Sequence, residues 1–165
     1  MAKVDIINIR GNKERCVNLS NTVGAGGRNE KSDVMAIQAL FYYLYFDKEA
    51  KLTGLPLLSP ALAVADKFSP TGLLDILTIQ TIAFFQTTHR QHLLSADAII
   101  HPANYEGRVI KDTNKPLMTI TYLHLLAKRR ELRSGDGDYI KKIKGIIGLF
   151  HSVEIAASML PKNLK

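Results

Sequence analysis

The side chains of this sequence able to do chemistry are five histidines, one cysteine and fifteen acids, so their spacing is the first test. His89 and His92 stand three apart and can share a helical face, while His101, His124 and His151 are scattered. Two imidazoles do not hold a structural zinc, and no His-Glu-x-x-His or Cys/His cluster supplies the rest. Asp136 and Asp138 flank a glycine in the manner of a calcium loop, but the remaining ligand positions, a late Glu included, are absent. Cys16 stands in no recognisable pattern with a His or an acid, so it reads as a buried or idle thiol rather than a nucleophile. No carboxylate pair sits where its two pKa values would be pushed apart. The spacings predict no metal, no cofactor and no catalytic residue: the chain reads as a non-enzyme.

The run Val23-Gly24-Ala25-Gly26-Gly27-Arg28-Asn29 invites a second reading, as a phosphate loop. A nucleotide loop continues Gly-Lys-Ser/Thr, whereas Gly27 is followed by Arg28-Asn29. Gly24, Gly26, Gly27 and Asn29 are therefore assigned to a structural turn, with Asn29 expected to cap backbone donors at the entry of the next helix. Gln38 and Gln86 each interrupt an apolar stripe, and each is expected to bond the backbone of a facing loop or to line a groove.

At 165 residues, 46% hydrophobic and 22% charged, the chain has an ordinary globular composition, which excludes fibrous and disordered classes. A single cysteine permits no internal disulfide. No apolar run of about eighteen residues suggests a membrane span, and the first residues show no signal-peptide pattern. The expectation is a product of the cytoplasm that, if exported, leaves by a route needing no signal peptide. Of the net charge of +7, residues 128–165 supply five, with nine Lys or Arg against four acids. Such a basic end suits an anionic partner or a solvated helix surface. Without a reader motif or interleaved aromatics, nucleic acid is not the expected partner.

These residues need elements to hold them. Residues 3–9 and 16–19 read as extended segments. Ser32 is placed to cap a helix from Asp33 to about Phe46, with Val34, Ile37, Leu40, Phe41 and Leu44 on one stripe. Tyr42, Tyr43 and Tyr45 widen that stripe and make the helix central. Residues 47–70, with Gly54, Pro56, Pro60 and Pro70, read as a long loop with one short turn near Ala61 to Val64. A second helix spans Leu73 to Thr88, with Leu74, Leu77, Thr78, Ile82 and Phe85 facing inward. Residues 94–117 read as irregular. Thr119 to Leu132 forms a third helix through Ile120, Leu123 and Ala127, ending in Lys128, Arg129, Arg130 and Arg133 against its negative pole. Ser134-Gly135-Asp136-Gly137 breaks the chain, and Asp138 is placed to cap a fourth helix to about Met159. There Ile140, Ile143, Ile147 and Phe150 form a stripe that packs either on the domain's own core or on a partner.

The glycine turn, Ser32-Asp33-Val34, Ile37-Gln38-Ala39-Leu40 and the later Thr78, Ile82, Phe85-Gln86 together resemble the peptidoglycan-binding-like domain family over about residues 17–126. That resemblance implies a mainly α fold, a small three-helix core over residues 1–134, with short N-terminal extended segments and an extra basic amphipathic helix over 135–165. The family binds rather than catalyses. Its loop motifs fall at Gly72 to Asp75 and Asp97 to Pro102, so Gly72, Asp75, Asp97 and His101 are the candidate saccharide residues. The family's Asp-Gly-x-x-Gly-Pro stands here as Thr71-Gly72-Leu73-Leu74-Asp75-Ile76, and its Asp-Gly-x-Val-Asp-Pro as Asp97-Ala98-Ile99-Ile100-His101-Pro102. Those departures favour an interaction protein, as found beside contractile-injection and secretion-associated lytic enzymes, over a peptidoglycan-binding module. A protein partner or a homo-oligomer is implied, with Ile140, Ile143, Ile147 and Phe150 as the candidate contact residues.

Overall fold

A computed structural model describes residues 3–9, 11–47, 68–103, 116–135 and 137–159, with backbone alone for 153–159. The expected turn near Ala61 to Val64 and the calcium-like position Asp136 lie outside the described residues. The fold is mainly helical. Strands β1 (Lys3–Ile9) and β2 (Asn12–Asn18) pair antiparallel, from Lys3 opposite Asn18 to Ile9 opposite Asn12. A second small sheet joins β3 (Val23–Gly24) to β4 (Ile99–Ile100), a strand inside the stretch read as irregular. Helices α1 (Lys31–Phe41), α2 (Ile76–Thr88), α3 (Thr119–Ser134) and α4 (Tyr139–Met159) complete the order. One π-helical turn, Tyr42–Phe46, extends α1, and a 3₁₀ turn, Arg90–His92, follows α2.

Helix α1 is the central element. Every residue from Asp33 to Phe41 is buried, because neighbours cover it on all sides rather than along one stripe. Val34, Ile37, Leu40 and Phe41 share the core with Ile82 and Phe85 of α2, and the Phe41 and Phe85 rings meet edge-on at 5.5 Å. On α3, Ile120, Leu123 and Ala127 point inward as expected.

The start of α1 differs from the sequence reading. Glu30 sits at the cap position without a side-chain bond, and Ser32 falls inside the first turn. Asp33 is buried, and its carboxylate accepts from the Ser20 and Asn21 backbone N–H groups at 3.0 and 2.8 Å. It therefore ties the preceding loop to the helix, a use that helix propensity alone does not reveal. Helix α2 starts at Ile76, three residues later than expected, because Asp75 caps it. At the end of α3, Arg130 is only 1% exposed. It lies 3.9 Å over the Tyr43 ring and donates to Asp47 at 2.8 Å, so one of the four basic residues read as facing the helix's negative pole belongs to the interior.

Candidate functional site

The glycine turn is held by its own asparagine. Asn29 adopts φ +54°, accepts from the Gly24 N–H at 2.8 Å, and donates to the carbonyl oxygens of Gly24 and Gly27. It thus braces the turn rather than the helix entry expected for it. Gly24 is required there, since an added Cβ would collide with the Ala98 carbonyl oxygen across the β3–β4 pair. Gly26 and Gly27 complete the turn, with the Gly27 N–H donating to Gly24 O at 2.9 Å.

The two loop segments assigned to ligand binding are both clamped by glutamine. Gln38 of α1 accepts from the Gly72 N–H at 2.8 Å and donates to Leu73 O and Thr78 Oγ1, both at 2.9 Å. Gln86 of α2 accepts from the Ala98 N–H at 2.8 Å and donates to Ile99 O at 2.9 Å and Thr119 Oγ1 at 3.0 Å. Each glutamine is fully buried. Each holds two adjacent backbone groups of a loop and one threonine hydroxyl of the helix that follows. Of the two sequence readings, the loop-bonding one describes both residues.

This arrangement determines what the candidate ligand residues do. Gly72 takes φ +77°, and an added Cβ would lie 3.0 Å from the Lys31 carbonyl oxygen. Asp75 is the N-cap of α2, its Oδ1 accepting from Thr78 N at 2.7 Å and Thr78 Oγ1 at 2.6 Å. Asp97 accepts from the Ile99 N–H at 3.1 Å through Oδ1 and faces His101 Nε2 at 3.4 Å through Oδ2. Gly72 and Asp75 are thus brought into one turn and Asp97 and His101 into one pair, each assembly hung from a different glutamine. Three of the four have local backbone duties.

The stripe on α4 divides along its length. Tyr139, Ile140 and Ile143 are buried within this chain's core, which corrects the expectation of Ile140 and Ile143 as partner contacts. Ile147 and Phe150 are half-buried, and the Phe150 ring packs on Tyr42 at 5.3 Å. The first two turns of α4 face the body because Tyr139 is anchored there by a buried polar chain.

That chain is invisible in the sequence, since its members are 110 and 15 positions apart. The Val17 N–H donates to the Tyr139 hydroxyl at 3.2 Å. The Tyr139 hydroxyl meets His124 Nδ1 at 2.6 Å, and His124 Nε2 meets Glu14 Oε2 at 2.8 Å. The neutral tautomer with the proton on Nε2 satisfies every partner: Nε2–H donates to Glu14, and Nδ1 accepts from the tyrosine. Burial lowers the His124 pKa and outweighs the raising effect of Glu14. A protonated ring would aim a second donor at the Tyr139 oxygen and leave the hydroxyl hydrogen without an acceptor. Cys16 lies buried near this network; burial, then the charge of Glu14, pushes its thiol up to about 12, so it stays protonated and inert.

A second histidine cluster gathers where α2 ends. His92 stacks on Tyr122 at 5.3 Å, and His89 lies 5.2 Å from the same ring. Burial, then neighbouring His92, lowers the His89 pKa. Among the described residues no group of three or more His, Cys, Asp or Glu could hold a metal ion, and no helix is long and apolar enough to cross a membrane. No protein-family model, curated protein or solved structure matches the chain.

Proposed function

We propose that this chain is a non-catalytic binding and structural module built on a peptidoglycan-binding-like three-helix core, and that it acts through protein contacts within a contractile-injection or secretion-associated system. The observation that carries this reading is the pair of glutamine clamps. Gln38 and Gln86 are the positions that the resemblance matches, and they perform one structural task twice. The interaction reading draws support from the loops, where Gly72, Asp75 and Asp97 have their polar groups engaged in local backbone bonds. The link to an injection or secretion system rests on the resemblance of Val23 to Asn29. A peptidoglycan-binding module that targets a wall-active partner is the second reading; the exposed Asp97 beside half-buried His101 favours it.

The test incubates the purified full chain with insoluble peptidoglycan, sediments it and assays the supernatant for released fragments, while cross-linking in cells identifies bound proteins. Neither retention nor release is expected, and cross-links should lead to components of such a machine. Retention that Asp97→Ala or His101→Ala removes would replace this reading with the glycan-binding one. Fragment release abolished by a single His or acid substitution would defeat the non-catalytic assignment.

A further inference from the structure

Helix α2 carries no charged side chain over its thirteen residues, in a chain that is 22% charged. A helix at the surface of a globular protein ordinarily turns charged residues toward water. The inner face of α2 follows the rule, with Thr78, Thr81, Ile82, Phe85 and Gln86 buried. Its outer face does not. Ile76 is 69% exposed and Phe84 39% exposed. Gln80 lies exposed between them. Ile76, Gln80 and Phe84 are four residues apart and form one ridge of the kind that interlocks with another helix. Leu73, just before the helix, is 68% exposed and extends the patch.

We propose that this ridge is where two copies of the chain meet, α2 packing antiparallel on α2 about a twofold axis at Gln80. The spacing is self-complementary. An axis at Gln80 sets Ile76 of one copy against Phe84 of the other and repeats the contact in reverse, as a twofold interface requires. The two Gln80 amides, each with donors and an acceptor, meet at the centre. Charge points the same way. Copies bearing +7 each repel one another, so close approach needs a face that carries no charge. The outer face of α4 fails that condition, because Lys141, Lys142 and Lys144 are exposed on it. This interface is independent of the function proposed above, since it stands on α2 alone.

Sedimentation equilibrium of the full chain at rising concentration is expected to reach twice the 18.3 kDa monomer mass. Joint replacement Ile76→Asp and Phe84→Asp is expected to return the monomer with an unchanged circular dichroism spectrum, because both side chains are solvent-exposed in a single chain. Gln80→Cys, mildly oxidised, should be trapped as a disulfide-linked dimer, while buried Cys16 stays silent. This trapping decides the matter if the aspartate variant fails to fold. A chain that stays monomeric at every concentration would overturn the proposal, and that is the outcome if the ridge serves a foreign protein. So would a dimer that survives both aspartates, or trapping from Lys141→Cys as efficient as from Gln80→Cys.

Discussion

Replacing Gln38 with Met tests the clamp that joins α1 to the loop before α2. The two side chains are close in length and volume, so packing changes little and the loss is polar. Two backbone groups would lose their partner, the buried Gly72 N–H and the part-buried Leu73 carbonyl, which now bond Gln38 at 2.8 and 2.9 Å. Thr78 Oγ1 keeps its bond to Asp75 at 2.6 Å and drops out of the account. Stranding the Gly72 N–H costs about 1–3 kcal/mol and losing the Leu73 bond about 1 more, giving about 2–4 in all. Burying a thioether instead of an amide returns about 1–2 kcal/mol, leaving a net loss of about 1–2. Against a total stability of about 5–15 kcal/mol, that is a large fraction. Urea denaturation should show a lower midpoint with an unchanged slope, and amide exchange at Gly72 should accelerate above the change in global stability. Gln86→Met should also destabilise, by less, because it removes the partners of the part-buried Ala98 N–H and Ile99 C=O. A Gln38→Met chain within about 0.5 kcal/mol of the parent, with Gly72 still protected, would refute the reasoning, since that size of change is ordinary for a surface substitution.

Leu40→Ala, at a site 1% exposed, should cost about 2–5 kcal/mol by urea denaturation, and an unchanged transition would remove Leu40 from the core. Stability should fall on acidification. The folded-state pKa values of His124 and His89 lie below their ordinary value near 6.5, so the unfolded chain binds more protons as pH drops through that value; stability is complete above it and declines below it. Melting temperatures between neutral pH and about pH 5 check this, and the slope should flatten in His124→Gln combined with His89→Gln. Truncation after Ser134 should unfold the chain rather than release an intact three-helix core, because it removes Tyr139, Ile140 and Ile143 from the interior; a cooperative thermal transition in the truncated chain would contradict that.

What the sequence determined by itself is what local signals encode. The stripes Val34–Ile37–Leu40–Phe41 and Ile120–Leu123–Ala127, the glycine turn and the break before α4 stand in the order of residues because periodicity, φ preference and capping act within a few positions. The burial of Cys16 and the loop-bonding reading of Gln38 and Gln86 were also legible, from polar residues set in apolar surroundings. Tertiary structure alone decided the partners. Asn29 braces its own turn, Asp33 reaches back to Ser20 and Asn21, and Arg130 turns inward to Tyr43 and Asp47. It also divided the α4 stripe and joined Glu14, His124 and Tyr139 across the chain. The reason is physical: a polar side chain takes whichever donor or acceptor burial leaves unsatisfied, and packing between distant segments determines which groups those are.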